Sequence, residues 1–442
     1  MRRRRRPRDP QRRRAVASVG PVDGSAIGSV HAALTAGLGG RAADMPVEVA
    51  WPLLENDIPT MRYRWWGGIY HLGGDVADGQ PVYRAAWGLP GLLVLHAFVL
   101  DEVVRSLATV DQPIAWSTQR EMVETRLALG RDPVTRFIPS VSPSVAAIVR
   151  RARGVVVFAD AARAYLEALG CRTPIHVIAP PVVDAPADVV AAAARAPSLR
   201  AGLPGCRRLI VAPTDRAEAE DIEGVLAAAG SMSSDVHVAL VGMADPGRDA
   251  LGLGAGSGLG DRLHVQHDLP LGELLAWFAG ADIVVDLRRP HHVEVGLGAL
   301  RAMQAGAAIV TIADARIPGS PASASVTLED RDAGAIALLL ADLLGDPERR
   351  GALGTEAARF VAEERRRGPS GFAVAVEDAL RVALDPARPA MDRWASAVAD
   401  LGADERYLEA GYFLRYAEAL TSFSGSPQEP DRAAAEPLLD SG

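Results

Sequence analysis

Between residues 283 and 307 an apolar stretch, Ile283–Leu287, runs into a polar loop that carries Glu294 and Gly296. Leu297, Leu300 and Met303 then recur at helical spacing until Gly306. Such a strand–loop–helix unit offers free backbone N–H groups and the positive end of a helix dipole, a setting that suits phosphate. A second place of the same kind follows the first apolar run. There Gly20-Pro21-Val22-Asp23-Gly24-Ser25 opens onto a helical pattern, so that backbone at Gly24 and Ser25 comes close to an anion, or simply makes a tight connection. His96 ends the apolar run Leu92–Leu95, where a neutral imidazole donates one hydrogen bond to a hydroxyl or a phosphate. Arg216 follows the run Leu209–Ala212 among Asp215, Glu218, Glu220 and Asp221. Those residues also fit a plain helix start whose dipole is complemented by acids. His291 and His292 are adjacent and have no further ligands at a zinc-like spacing, so no metal is expected.

These residues need strands that end, and helices that begin, at one edge of a sheet. Apolar strand-length runs alternate with helical patterns along the chain, which predicts an α/β fold with parallel sheets. Strands are expected at 15–19, 47–51, 69–72, 92–96, 113–116, 155–158 and 175–178, and then at 209–212, 236–241, 263–266, 283–287, 308–312 and 325–328. The Ala- and Pro-rich stretch 180–204 reads as the connection between two domains. The expected division is an Arg-rich tail (1–14), a first Rossmann-like domain (15–200), a second (201–385), a helical segment (386–421) and a polar tail (422–442).

The chain of 442 residues has a net charge of −8, but its first 14 residues hold nine Arg and one Asp, leaving −16 for the rest. A body that acidic does not suit nucleic acid. The tail suits an anionic lipid surface, a disordered extension, or an extra segment from a start assigned too early. No lysine occurs, so any cation that binds phosphate is an arginine with its bidentate fork. No apolar run reaches 18 residues, and two cysteines make no disulfide framework, so a cytoplasmic protein without a membrane span is expected.

The stretch Val293-Glu294-Val295-Gly296, followed by Arg301-Ala302-Met303-Gln304-Ala305-Gly306, resembles the nucleotide-sugar site of the family 4 glycosyltransferases, which have the two-domain GT-B fold. Tyr70-His71-Leu72-Gly73-Gly74, then Tyr83, then Pro90-Gly91-Leu92-Leu93-Val94-Leu95-His96-Ala97 resembles a first-domain pattern of the same family. The resemblance spans roughly residues 15–385. It implies two Rossmann-like domains facing across a cleft, and transfer of a sugar from a nucleotide diphosphate to an acceptor hydroxyl, with retention, without metal or cofactor. It implies that Glu294 holds sugar hydroxyls, that Gly296 and Leu297 hold phosphates, and that Gly24, Ser25 and Arg216 line the donor side. It places His96 beside the donor sugar, and His71 and Tyr83 near the acceptor. It also implies that residues 386–421 return to the first domain.

This chain departs from the pattern in four places. Arg301 stands where the family has a second Glu, and since it cannot accept hydrogen bonds from a ribose diol, a phosphate contact is the role left to it. Glu294 falls one position late. Gly74 replaces Asn, and Ala97 replaces Asp. The alternative is therefore a non-catalytic GT-B protein that partners an active glycosyltransferase.

Overall fold

The computed structural model describes residues 15–22, 25–53, 57–129, 143–214, 219–242, 256–267, 269–287, 297–312, 316–329 and 332–384. The first half comprises β1 (Ala15–Val19), α1 (Ala26–Leu38), β2 (Arg41–Ala42), β3 (Met45–Val49), α2 (Met61–Arg64), β4 (Trp65–Leu72), α3 (Val76–Gly88), β5 (Leu92–Leu95), α4 (Asp101–Val110), α5 (Gln112–Leu129), α6 (Ala146–Arg151), β6 (Gly154–Val157), α7 (Asp160–Ala168) and β7 (Ile175–Val177). The second comprises α8 (Pro186–Ala201), β8 (Arg208–Pro213), α9 (Ala219–Gly230), β9 (Val236–Val241), β10 (Leu263–Gln266), α10 (Leu271–Gly280), β11 (Ile283–Asp286), α11 (Leu297–Gln304), β12 (Ala308–Ile312), β13 (Val326–Leu328), α12 (Ala333–Gly345) and α13 (Pro347–Ala383).

Two sheets result. The first runs β2-β3-β1-β4-β5-β6-β7 and is parallel except for the β2–β3 hairpin. The second, β10-β9-β8-β11-β12-β13, is parallel throughout. Both sheets are covered on their two faces, which is why their strands read as continuous apolar runs. Alternate residues of the first sheet serve different cores. Ala17, Tyr70, Leu93 and Val157 face one cluster. Val16, Ile69, Leu92, Val94 and Val156 face another, which continues through α11 and α13 onto the second sheet.

Residues 113–116, expected as a strand, lie inside α5. Asp111 starts that helix, its carboxylate accepting from the backbone N–H of Ile114 (3.4 Å), and Pro113 sits in the first turn, where its missing N–H costs nothing. The apolar residues there are one face of a helix. Helix α8 packs along α10, and Arg200 donates to Asp282 (2.7 Å) and to the Gly280 carbonyl (2.9 Å). Residues 186–200, which the sequence reading set in the first domain, therefore lie against the second. The remaining connection is the short run 178–185.

The chain crosses back through α13. At Gly368 the backbone leaves the helix (φ 64°, ψ −176°), and the continuation from Phe372 to Leu384 packs against the first domain. Glu377 accepts from the Ala43 N–H (3.0 Å), in a β2–β3 turn where Ala43 and Asp44 both have positive φ. Leu384 lies so close to Gly67 that a methyl group there would meet it at 2.6 Å. The segment expected to make this return, 386–421, lies outside the described residues, as do both tails. No helix among the described residues is long and apolar enough to cross a membrane.

The Gly368 conformation is accessible to glycine alone, and among the described residues beyond its own stretch of chain no atom lies within 4 Å of where a Cβ would stand, so the penalty for a side chain is one of backbone. Gly368→Ala is expected to cost about 1–3 kcal/mol in thermal or urea unfolding. Gly351→Ala, in the regular part of the same helix, should be neutral or stabilising. Equal effects from the two would remove the kink as a constraint.

Candidate active site

The carboxyl ends of β1, β4 and β5 carry Ser18, His71 and His96 on the face that α1 and α13 cover. Ser25 caps α1, its Oγ accepting from the Gly28 N–H (3.0 Å), and this aims His31 back at the sheet. His31 Nδ1 lies 2.9 Å from the Pro21 carbonyl, and Nε2 lies 2.9 Å from Ser18 Oγ. A carbonyl only accepts, so Nδ1 carries the proton and Ser18 donates to Nε2.

His31, His71, His96 and Phe158 form a column of rings. Successive centroids are 4.6, 5.3 and 5.4 Å apart, and Phe158 meets Phe372 of α13 at 6.4 Å. Gly20 is required where the loop passes over this column, because a Cβ there would lie 2.8 Å from His71 Cβ.

His71 Nδ1 and His96 Nε2 are 3.1 Å apart, while His71 Nε2 and His96 Nδ1 are buried without a partner among the described residues. Two neutral imidazoles share one hydrogen bond, and either choice of donor leaves one buried N–H and one buried lone pair unmet. Each orphan costs about 1–3 kcal/mol. Burial pushes all three histidines below their ordinary pKa, His96 to about 3, so the column is neutral near pH 7. Unmet polar groups and strongly shifted histidines at the carboxyl end of a parallel sheet are the marks of a functional position.

His71 thus joins His96, as a partner within one dyad. Tyr83, expected with His71 near an acceptor, lies elsewhere. It is fully buried in the core on the other face of the sheet, with its hydroxyl 2.9 Å from Thr118 Oγ1 and its ring stacked on Trp87. Packing and that hydrogen bond account for it, and it presents nothing to a ligand.

On the second domain, α11 starts at Leu297, just past the carboxyl end of β11. The Leu297 side chain is buried in the shared core with Leu300 and Met303, so only its backbone faces away from packing. Glu294 and Gly296, like Gly24 and Arg216 and the pair His291–His292, lie outside the described residues. Arg301 is committed to Asp184 of the connection between domains by a bidentate pair, Nε to Oδ2 at 3.0 Å and Nη2 to Oδ1 at 3.1 Å. The Asp184 carbonyl also accepts from Arg365 (2.9 Å) and from Gln304 (3.4 Å). This is a correction to the expected phosphate contact: the guanidinium that replaces the family's second Glu is already occupied by a carboxylate. Among the described residues no group of three or more His, Cys, Asp and Glu is placed to hold a metal ion.

An open groove of about 470 Å³ lies between the start of α7 (Asp160, Ala161, Ala164) and the turn Arg316–Ser320 that follows β12. It therefore joins the carboxyl ends of strands from both sheets, the place where open α/β sheets bind ligands. Sequence reasoning missed His31, Asp184 and Arg316. His31 and Asp184 gain their roles only through distant partners. Arg316 could have been flagged, since it sits in a Pro-Gly turn just past a parallel strand beside β11.

No family model matches the sequence, and no curated protein matches it. Solved structures do. Sucrose-phosphate synthase from Thermosynechococcus elongatus is 18% identical, covering 84% of this chain and 98% of its own, with a TM-score of 0.54. Anabaena HepE in complex with UDP-glucose is 13% identical, covering 83% and 99%, with a TM-score of 0.53. HepE in complex with UDP and glucose is 12% identical over the same shares, at 0.52. These neighbours are GT-B glycosyltransferases, and the fold of this chain is GT-B, as the sequence resemblance implied.

Proposed function

We propose that this protein is a glycosyltransferase that moves a sugar from a nucleotide diphosphate to an acceptor hydroxyl. The observation that carries the reading is the groove at which the strand ends of both parallel sheets come together, after β6 and after β12, with α11 starting just past the carboxyl end of the neighbouring β11. Uridine is the base favoured, because neighbours of this fold are bound to UDP and UDP-glucose.

Glu294 accepts hydrogen bonds from the sugar hydroxyls, and the backbone at Gly296 and Leu297 holds the diphosphate at the start of α11. Gly24 and Ser25 close the donor side from the first domain, with Arg216 near the phosphates. His96 stands behind the sugar, and His71 holds it in place. The acceptor oxygen bonds to the anomeric carbon as the bond from that carbon to the phosphate oxygen breaks. The hydroxyl proton passes to the departing diphosphate, so the sugar keeps its configuration and no protein base or cofactor is required.

A second reading is favoured by one observation. Arg301 and Asp184 neutralise each other where the family holds a ribose diol, which suits a GT-B protein that partners an active enzyme. Thermal unfolding with nucleotides separates the two. At a UDP concentration 100 times Kd, a ligand bound only by the native state adds about 2.7 kcal/mol and raises Tm. A shift with UDP or GDP, together with activity lost in Glu294→Ala while folding survives, supports the enzyme. No shift with either nucleotide leaves the partner reading.

A further inference from the structure

Arg316 is a part-buried guanidinium in an acidic protein, and no acid among the described residues pairs with it. Its Nη2 donates to the Ser320 carbonyl at 2.8 Å, its Nε is buried with no partner, and it makes no ion pair among the described residues. Three other part-buried arginines are matched to acids, Arg150 to Glu121, Arg200 to Asp282 and Arg301 to Asp184, while Arg262 donates to carbonyls and, like Arg316, makes no ion pair among the described residues. A desolvated cation without an anion is costly, and the cost is recovered when a ligand supplies the anion.

The surroundings favour such a ligand. Arg316, Ile317, Pro318, Gly319 and Ser320 line the groove on one side, and Asp160 lines it on the other. The turn is held in shape by Ser320, whose Oγ donates to the Ile317 carbonyl at 2.7 Å and whose N–H donates to the same oxygen at 3.0 Å. The guanidinium is therefore positioned before any ligand arrives. Across the groove Asp160 is exposed, free to accept from hydroxyl groups.

We infer that Arg316 binds a phosphate group of a phosphorylated sugar held in the groove, with its hydroxyls toward Asp160. This rests on the glycosyltransferase reading for the identity of the ligand, and on the groove and its unpaired cation for the site. The phosphate has two chemical sources, the diphosphate of the donor or a phosphate carried by the acceptor.

The test measures Kd by calorimetry for two matched pairs of probes, uridine against UDP and glucose against glucose 6-phosphate, on the full chain and on Arg316→Gln. Circular dichroism and Tm without ligand check the fold. Arg316→Lys keeps the charge where the glutamine variant disturbs the turn. Loss of one charged hydrogen-bonding partner is expected to weaken the phosphate-bearing probe by about 10- to 100-fold. The phosphate-free probe should change less than twofold, and Arg316→Lys should recover much of the loss. If the loss falls on UDP, the donor supplies the phosphate. If it falls on glucose 6-phosphate, the acceptor does.

The inference is overturned if Arg316→Gln binds UDP and glucose 6-phosphate as the parent protein does, or if the parent binds neither better than its phosphate-free counterpart. The first of these leaves the glycosyltransferase reading standing when UDP binds. Binding of glucose 6-phosphate through Arg316 with no binding of UDP or GDP does the reverse: it keeps the site and removes the donor.

Discussion

Asp184→Ala is expected to destabilise the protein by about 3–5 kcal/mol, the usual range when one partner of a buried ion pair is removed. The Asp184 side chain is 5% exposed and that of Arg301 is 17% exposed, so water cannot take over the carboxylate's place at the guanidinium. Both hydrogen bonds of the fork are lost at once, and the cation stays behind. The site also matters for what it fastens. Residues 178–185 connect the domains, and Asp184 is where α11 and α13 both grip that connection, through Arg301, Gln304 and Arg365.

Urea unfolding of Asp184→Ala, Arg301→Ala and the double variant measures the effect. The double variant should recover part of the loss, because it no longer buries a lone charge, and the cycle gives the coupling directly. The exposed pair Arg64–Glu48, at 67% and 42%, serves as a contrast, since removing it should cost no more than about 1 kcal/mol. A loss in Asp184→Ala as small as that would show that the connection is not held by this pair.

Acidification should be as damaging. His31, His71 and His96 have folded pKa values pushed below the unfolded value by burial. The folded state therefore binds fewer protons than the unfolded state, and stability rises with pH through this window. For His96 the contribution is fully present above about pH 6.5 and is lost progressively down to its folded pKa of about 3. Each fully buried neutral histidine withdraws about 1.4 kcal/mol per pH unit inside that window. His96 alone then accounts for about 2 kcal/mol between pH 6.5 and pH 5, and His71, shifted in the same direction, adds to it.

Urea midpoints at half-unit steps of pH would show the slope. His96→Gln, which cannot take up a proton, should lower the slope by about one proton even if it also lowers stability at pH 7. An unchanged slope in that variant would mean that His96 already titrates normally in the folded protein.

The order of elements was largely legible. Parallel strands buried on both faces appear as short apolar runs, and twelve of the thirteen runs expected as strands correspond to strands in the two sheets. The exception, 113–116, shows the limit of such runs. Four apolar-rich residues fit either a strand or one side of a helix, and the capping carboxylate of Asp111 decided between them. The placement of α8 was hidden for a related reason. An Ala-rich helix carries little periodic signal, and only its packing on α10 assigns it to a domain.

Two of the candidate residues that the structure brings together were named from the sequence, His96 as the residue that ends a strand and His71 through the family resemblance. That they form one dyad depends on register, which sets His71 opposite Val94 and so brings His96 beside it. Tyr83 looked equivalent in sequence and proved to be core, because α3 carries it onto the opposite face of the sheet.

From its residues alone, then, this chain determines two parallel α/β lobes, an acidic body whose only basic side chains beside histidine are arginines, and glycine-bearing loops at strand ends of a kind that suits phosphate. Those properties follow from local periodicity and composition, which act over a few residues at a time. Tertiary structure decided which charges are spent and which remain available. Arg301 and Asp184 are 117 positions apart and cancel each other, whereas Arg316 is left facing a groove. Pairing of that kind depends on distances in space between residues far apart in the chain, and no short-range pattern records it.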